Sequence, residues 1–308
     1  MKKSLLFLYL FMTFLQKVSF CNLIRNNPRL FSAYRRKKIV IAVASFIFTT
    51  STSFLASADF EYGEDLTYSI EYLGITVGTA HLIVLPTKVE QNNTPCLVFK
   101  SIAKSTPFID YIYPVDDKMI SYFDPYLSRT LSSSKRVHEG KLHREYHAEY
   151  DFPNKSVNWW QKAHKGKKEE LPEDITFRPK SGKTNDIPSN LMDILSALYY
   201  LRRSPTTPRI GTYFSMTIYD DLQVVPIEFH ILREVSLSLK IDSVSKVFNA
   251  YKIRPYLSTS GFFQNDGELF IWISSDEKRY PLRIESSIRG LGSIRVVLQS
   301  IKESPSTP

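Results

Sequence analysis

The segment from Asp65 to Tyr72 reads DLTYSIEY, with apolar and polar side chains in strict alternation. Four apolar residues fall on one face of an extended chain, namely Leu66, Tyr68, Ile70 and Tyr72. Successive side chains of a β-strand point to opposite faces, so this pattern is typical of a strand with one buried face. Gly74 then provides a turn, and residues 75–85 supply a partner strand.

The same period of two continues along most of the following chain. We predict further strands at 96–104, 118–123, 127–137, 141–152, 157–161, 213–219, 224–239, 246–255, 269–274, 282–288 and 293–301. Short turns such as Glu139-Gly140 join neighbouring runs, and connections this short favour antiparallel pairing. The chain is therefore predicted to be mainly β, with a large curved antiparallel sheet or half-barrel; a closed barrel is the alternative.

One segment departs from this period. Between residues 187 and 203, apolar side chains recur at helical spacing: Ile187, Leu191, Ile194, Leu195 and Leu198. Asp186 is placed to cap a helix here, and Pro188 is tolerated in a first turn. We predict one amphipathic helix over 187–203, which covers one face of the curved sheet or plugs the open side of a barrel.

Basic residues are concentrated at the start of the chain. Residues 1–58 contain nine Lys or Arg and no Asp or Glu. From Asp59 onward, 31 Lys and Arg residues therefore balance 31 Asp and Glu residues. The net charge of +9 therefore belongs to the leader. A domain that bound nucleic acid as its main task would carry a surplus of bases, so we expect no nucleic-acid partner.

Residues 35–58 have the three parts of a signal peptide. A basic RRKK run at 35–38 precedes an apolar core over 39–48, and ASA at 56–58 provides the small residues that signal peptidase requires. We predict cleavage after Ala58, export to the periplasm or cell envelope, and no integral membrane domain after cleavage. The alternative is that the leader, 1–58, remains as an N-terminal membrane anchor. A second apolar run, 5–15, is attributed to a start codon placed too early.

The remaining part, 59–308, is long enough to bury its own core and is predicted to form a single β-rich domain. Its one cysteine is Cys96, which excludes an internal disulfide. The stretch 164–185 is rich in Lys, Glu, Gly and Pro, and is predicted to be a mobile connection.

Four motifs carry a resemblance to a known family. They read YLGITVG at 72–78, DILSALYYLR at 193–202, GELFIWISSD at 267–276 and RYPLRIE at 279–285. Together they resemble the exported bacterial family catalogued as domain of unknown function 3108. The resemblance implies a β-rich exported protein and assigns no activity. A helix laid on a curved sheet is also similar to periplasmic lipoprotein carriers, at the level of fold alone.

The residues suited to catalysis or metal binding are few. His138, His143 and His147 form the one histidine cluster, but they fall on the polar side of an alternating strand, so we expect no metal and no cofactor there. Adjacent acids such as Asp116-Asp117 and Asp220-Asp221 are interpreted as turn residues. The sequence has no Gly-x-Ser-x-Gly, His-Glu-x-x-His or phosphate-binding glycine loop.

Aromatic residues are the stronger signal for a ligand. We predict that a ligand site includes five of them and two leucines of the predicted helix: Trp159, Trp160, Phe262, Phe263, Trp272, Leu195 and Leu198. Aromatic walls with few polar groups typify pockets for small apolar or sugar-like molecules. In the Trp159-Trp160 pair, one side chain must face outward or into an opening, because neighbours on a strand face opposite ways.

These observations favour a non-catalytic binding or carrier module of the cell envelope. Its expected partner is an apolar small molecule or an envelope protein, held on the concave side of the curved sheet. The alternative is a periplasmic enzyme whose site is assembled only in three dimensions, which converging carboxylates and histidines in a cleft would favour.

Overall fold

The computed structural model of the protein describes residues 62–86, 89–91, 94–165, 180–203, 208–257, 267–288 and 292–303. These residues contain fifteen β-strands and two helices. The strands are β1 Asp65–Tyr72, β2 Ile75–Val84, β3 Val89–Gln91, β4 Thr94–Ser105, β5 Asp116–Asp124, β6 Arg129–Glu139, β7 Leu142–Asp151, β8 Ser156–Lys165, β9 Lys180–Asn185, β10 Tyr213–Asp220, β11 Gln223–Ile241, β12 Val244–Leu257, β13 Gly267–Ser274, β14 Pro281–Ile288 and β15 Gly292–Lys302. The helices are α1 Pro107–Ile112 and α2 Ile194–Arg203. The predicted leader, 1–58, lies outside the described residues.

All fifteen strands belong to one antiparallel sheet. Its order is β10-β11-β12-β13-β14-β15-β1-β2-β4-β5-β6-β7-β8-β9, and β3 pairs with β4 beside this path. Strand β1 lies in the middle, between β2 and β15, so the first and last strands of the described chain are neighbours. Its alternating side chains Leu66, Tyr68 and Ile70 are buried in the core. The predicted antiparallel, mainly β fold is confirmed.

The sheet curves until side chains of its two edge strands meet. Thr184 Oγ1 of β9 lies 2.7 Å from the hydroxyl of Tyr219 in β10. Lys135 of β6 forms an ion pair with Asp220 at the end of β10. The backbone ladder of the described residues nevertheless ends at β10 on one side and at β9 on the other. The curved sheet or half-barrel is confirmed, and the described ladder is open rather than a closed barrel.

Helix α2 is shorter than the sequence pattern predicts. It spans Ile194–Arg203, whereas the apolar spacing predicts a helix over 187–203. The preceding segment is not helical, because residues 189–190 form a turn and Met192 forms a parallel bridge with Ile218 of β10. The Tyr219 N–H donates to the Met192 carbonyl at 2.7 Å, so this segment adds to the edge of the sheet. Its apolar residues are buried, but against a strand rather than in a helix.

The stretch 164–185 also differs in part from the prediction of a mobile connection. Residues 180–185 form strand β9, which pairs with β8 along Ser156–Gln161. Gly182 makes this pairing possible, because a Cβ at its position would lie 2.5 Å from the Trp159 ring. Residues 166–179 lie outside the described residues.

A buried carboxylate fixes the beginning of α2. The Leu195 and Ser196 N–H groups donate to Asp193 Oδ1 at 2.8 and 3.1 Å, so Asp193 caps the helix in place of the predicted Asp186. Ser121 of β5 donates to the same carboxylate at 2.8 Å, and Thr130 of β6 does so at 2.9 Å. One side chain thus satisfies the open N–H groups of the helix and joins it to two strands.

A buried ion pair fixes the other end of α2. The guanidinium of Arg202 donates to both oxygens of Glu64, at 2.7 and 2.8 Å, and both side chains are at most 2% exposed. The same guanidinium lies 5.3 Å from the Tyr199 ring and 5.6 Å from the Tyr280 ring. Since Glu64 directly precedes β1, the pair ties the last turn of α2 to the middle of the sheet.

We predict that Glu64→Ala destabilises the protein by about 3–5 kcal/mol, because it leaves the Arg202 charge buried without its partner. The matched control is Glu145→Ala, which removes the surface pair of Glu145 with Lys162, a pair with both side chains about 40% exposed. The control is expected to cost at most about 1 kcal/mol. Urea unfolding of the two variants measures the difference; equal, small losses would show that the buried pair does not fix the helix.

Candidate functional site

An apolar cavity of about 120 Å³ lies between α2 and the inner face of the sheet. The helix contributes one stripe of side chains to its wall: Ile194, Ala197, Leu198 and Leu201. Strands on both sides of β1 supply the rest, including Leu82, Met119, Phe229 and Ile271. The cavity therefore occupies space that the curved sheet encloses and the helix faces.

Small residues on the sheet explain why the space beside the helix is not filled. Ala80 of β2 and Ala103 of β4 are direct cross-strand partners, and both line the cavity. Two neighbouring methyl groups leave room where larger apolar side chains would reach the helix. Because Asp193 and Arg202 hold both ends of α2, the helix cannot move onto the sheet to close the gap without breaking buried hydrogen bonds.

The size and lining of the cavity suit an apolar group. A comparable engineered cavity of about 150 Å³, lined by aliphatic and aromatic side chains, stays dry and binds benzene or xenon. The present cavity offers the same kind of wall over most of its surface. It can accept a ring or a hydrocarbon segment of similar size.

Two buried carboxyls lie at one end of the cavity. Asp117 of β5 is part of the cavity wall, and the neighbouring Glu139 ends β6; both side chains are buried. The His138 N–H donates to Asp117 Oδ1 at 2.8 Å. Burial raises the pKa of both carboxyls, and the charge of Asp117 raises the pKa of Glu139 further, against the opposing charge of Arg144. The pair therefore holds a proton at a pH where exposed carboxyls are ionised.

A lysine continues this polar end away from the helix. Lys135 lines the apolar cavity and also a smaller one, of about 30 Å³, together with Arg144, Tyr146 and Gln161. Asp220, with which Lys135 forms an ion pair, also lines the smaller cavity. Burial raises the pKa of Asp220, and Lys135 opposes that shift. The site is thus apolar along the helix and polar beside β6.

The sequence did not disclose this polar end. Asp117 and Asp220 were interpreted as turn residues, and that interpretation is wrong for both, because each lies within a strand and is buried. The alternation within β5 could have predicted that Asp117 is buried, because Asp117 falls on the same face as Met119 and Phe123, which are core residues. A charged residue in phase with a buried face is a candidate functional group.

Of the predicted ligand residues, the five that the structure describes do not come together. Leu198 lines the cavity, whereas Leu195 is buried on the adjacent flank of α2 and is absent from its wall. Phe262 and Phe263 lie outside the described residues. Trp272 lies on the opposite face of β13 from the cavity-lining Ile271, with Arg283 4.8 Å from its ring.

The two neighbouring tryptophans face opposite ways, as the alternation rule requires. Trp159 is partly buried against a second core cluster around Tyr150 and Val157. Trp160 is 39% exposed and stacks on His147, with 5.9 Å between ring centroids. Neither lines the cavity beside α2. A role for either in binding stays a prediction.

The histidine cluster lies along β6 and β7. His138 and His143 are cross-strand partners with ring centroids 4.8 Å apart, and His147 lies 3.4 Å from Glu149. Among the described residues, no three His, Cys, Asp or Glu side chains are grouped so that they could hold a metal ion. Whether the cluster is free of metal in solution stays a prediction.

Comparisons with known proteins give a family but no activity. The family model described as "Protein of unknown function (DUF3108)" matches residues 67–299. A solved structure of a β-barrel-like DUF1849 protein from Brucella abortus is similar, with 9% identity, a TM-score of 0.46, and coverage of 80% of this chain and 99% of that one. No curated protein matches. Neither helix in the described ranges is long and apolar enough to cross a membrane.

We predict that Glu139→Gln weakens the dependence of stability on pH. Because the pKa of the pair is higher in the folded than in the unfolded protein, folding takes up a proton. The resulting contribution to stability is complete below about pH 4 and is lost as pH rises through the folded-state pKa values. The melting temperature of the parent should fall between about pH 5 and about pH 9, and that of Glu139→Gln should fall less. The exposed Glu145→Gln serves as control, and parallel curves for all three proteins would contradict the assignment.

Proposed function

The chain belongs to the DUF3108 family of proteins of unknown function, and we propose that it is a non-catalytic binding or carrier module for an apolar ligand. The ligand occupies the cavity between α2 and the sheet. The observation that carries this proposal is an apolar space walled by the stripe from Ile194 to Leu201 and by the paired Ala80 and Ala103.

The energetics support occupation by an apolar group. Empty space against aliphatic side chains forfeits dispersion contacts, and a bound hydrocarbon restores them while leaving water. The polar end adds selectivity for a ligand with a hydrogen-bonding group. A protonated Asp117 and Glu139 pair can donate to a carbonyl or hydroxyl, whereas an ionised pair would repel a carboxylate.

A second candidate, an enzyme assembled only in three dimensions, is favoured by one observation. Asp117 and Glu139 are carboxyls with shifted pKa values beside a cavity, an arrangement that acid–base catalysts use. Native mass spectrometry of protein purified from its own cells separates the two candidates. A binding module releases a co-purifying molecule unchanged after prolonged incubation, whereas an enzyme converts it, and Asp117→Asn abolishes the conversion.

We further propose that the protein acts outside the cytoplasm. The support is the order of basic, apolar and small residues over 35–58. N-terminal sequencing of the abundant form should begin at Asp59, in a periplasmic or envelope fraction. Retention of residues 39–58 would instead support a membrane anchor.

We predict saturable binding of benzene, a probe of the size that the cavity accepts, measured by titration calorimetry. Ala80→Leu places a larger side chain in the cavity and should weaken binding at least tenfold without loss of melting temperature, because it fills space rather than creating it. Ala163→Leu makes the same substitution at an exposed strand position outside the cavity wall and should bind as the parent does. Equal affinity of all three proteins would contradict the proposed site.

A second pair of variants tests the side of the helix that contacts the ligand. Leu198→Ala and Leu195→Ala should each cost about 2–5 kcal/mol of stability. Only Leu198→Ala should also change probe affinity, because Leu198 lines the cavity and Leu195 does not. Probe titration beside urea unfolding distinguishes the two effects. An affinity change in Leu195→Ala alone would place the ligand on the other flank of α2.

A further inference from the structure

A second space lies beside the last turn of α2. It is a cavity of about 50 Å³, which we call the end cavity to distinguish it from the apolar cavity of about 120 Å³ described above. Its wall includes Phe214, Ile231, Ile253 and Ile273 of the sheet. Leu201 of α2 lines both cavities. A single leucine side chain therefore stands where the two spaces meet.

The strand register shows that the two cavities adjoin. On β11, Phe229 lines the apolar cavity, and Ile231, the next residue on the same face, lines the end cavity. On β13, Ile271 and Ile273 are divided between the two cavities in the same way. Ile253 of the end cavity is the direct cross-strand partner of Ile271, and such partners have Cβ atoms about 5 Å apart. The two cavities thus lie next to each other along one face of the sheet.

The helix backbone beside Leu201 is fixed. The neighbouring Arg202 forms the buried ion pair with Glu64, and its Nε donates to the carbonyl of Arg279, a residue of the end-cavity wall, at 3.3 Å. The helix therefore cannot swing away to join the cavities without breaking buried hydrogen bonds. Core side chains, by contrast, change rotamer while the backbone stays in place. Rotation of the Leu201 side chain is the movement that connects the two cavities.

The segment before β10 forms another part of the end-cavity wall, through Thr212 and Tyr213. The Gly211 N–H donates to the Ile231 carbonyl at 2.8 Å, and the Ile231 N–H donates to the Thr212 carbonyl at 3.0 Å. These two bonds fix the segment onto β11. The end cavity is therefore bounded by fixed backbone on its helix side and on its strand side, and neither side can close the space by a small shift.

The sizes of the two cavities select the shape of a ligand. The apolar cavity is close in volume to one that binds benzene, whereas the end cavity has about a third of that volume. A ring does not fit the end cavity, but a short aliphatic tail does. Water, held by hydrogen bonds to Thr212, Tyr213 or Arg279, is the competing occupant of so small a space. The two occupants differ in what they do to the affinity for a ligand with a tail.

We propose that the end cavity is a second subsite, which receives an unbranched aliphatic tail while the compact apolar group of the same ligand fills the apolar cavity. This inference rests on the proposed function and adds to it the ligand class: a ring-sized apolar group that carries an unbranched hydrocarbon tail. The tail passes Leu201, whose side chain turns aside. Each methylene that leaves water for an apolar space raises the affinity roughly fourfold, so two or more buried methylenes raise it about tenfold or more.

Two isomers of butylbenzene test the proposal on the purified protein by titration calorimetry. n-Butylbenzene and tert-butylbenzene contain the same atoms, but only the unbranched tail reaches past Leu201. We expect the parent to bind n-butylbenzene about tenfold more tightly than tert-butylbenzene, or more. Ile273→Phe enlarges a side chain of the end-cavity wall and should reduce this preference to about twofold or less. The matched control, Ile102→Phe, makes the same substitution at a half-buried position of β4 outside both cavity walls, and should keep the preference of the parent.

Leu201→Ala is a second variant, which also decides the matter if Ile273→Phe does not fold. It removes the side chain that stands between the two cavities. The branched tail of tert-butylbenzene then has room, so this isomer should bind to Leu201→Ala about tenfold more tightly than to the parent. The preference for n-butylbenzene should fall accordingly.

The outcomes separate this inference from the proposed function. Equal affinity of the two isomers for the parent, the result expected if water keeps the end cavity, overturns the second subsite. An unchanged preference in Ile273→Phe or in Leu201→Ala, whichever variants fold, overturns it as well. Benzene is titrated into the parent alongside the two isomers. Benzene binding without a preference between the isomers leaves the proposed function in place, whereas no binding of any of the three ligands overturns both proposals.

Discussion

The structure depends on the attachment of one helix at both of its ends. Asp193 caps α2 and accepts hydrogen bonds from β5 and β6, while Arg202 forms a bidentate ion pair with Glu64 before β1. Buried polar groups of this kind add little net stability when compared with an apolar replacement, but they fix geometry, because any other position leaves a charge without a partner. The helix is therefore held at a set distance from the sheet, and the small residues Ala80 and Ala103 leave a space between them.

The apolar cavity and its polar end are neighbours in the structure. Apolar side chains of α2 and the sheet form the wall, Asp117 and its buried neighbour Glu139 lie at one end, and α1 projects beyond the last paired residue of β4. Each feature alone has an ordinary structural explanation. An apolar space with a buried carboxyl pair beside it suits a protein that shields an apolar molecule from water.

Much of the fold follows from local patterning, and the site does not. Strict alternation in β1 predicts its strand and its buried face, because the period of two depends on the backbone alone. The predicted start of the helix at 187 was wrong because Met192 pairs with β10. The periodicity within 187–203 carries no information about this contact with another segment. The same limit applies to the cavity: Ala80 and Ala103 are distant in sequence, and only their cross-strand pairing places two small side chains opposite Leu198.

The central claim is that an apolar space remains between α2 and the inner face of the sheet. A crystal structure of the protein under xenon pressure measures this directly, because xenon enters dry apolar cavities of this size. The account predicts a bound xenon atom among Ala80, Ala103 and Leu198. It predicts no bound xenon at this place in the Ala80→Leu variant. No xenon between helix and sheet, with side chains of the two in direct contact across the cavity, would contradict it.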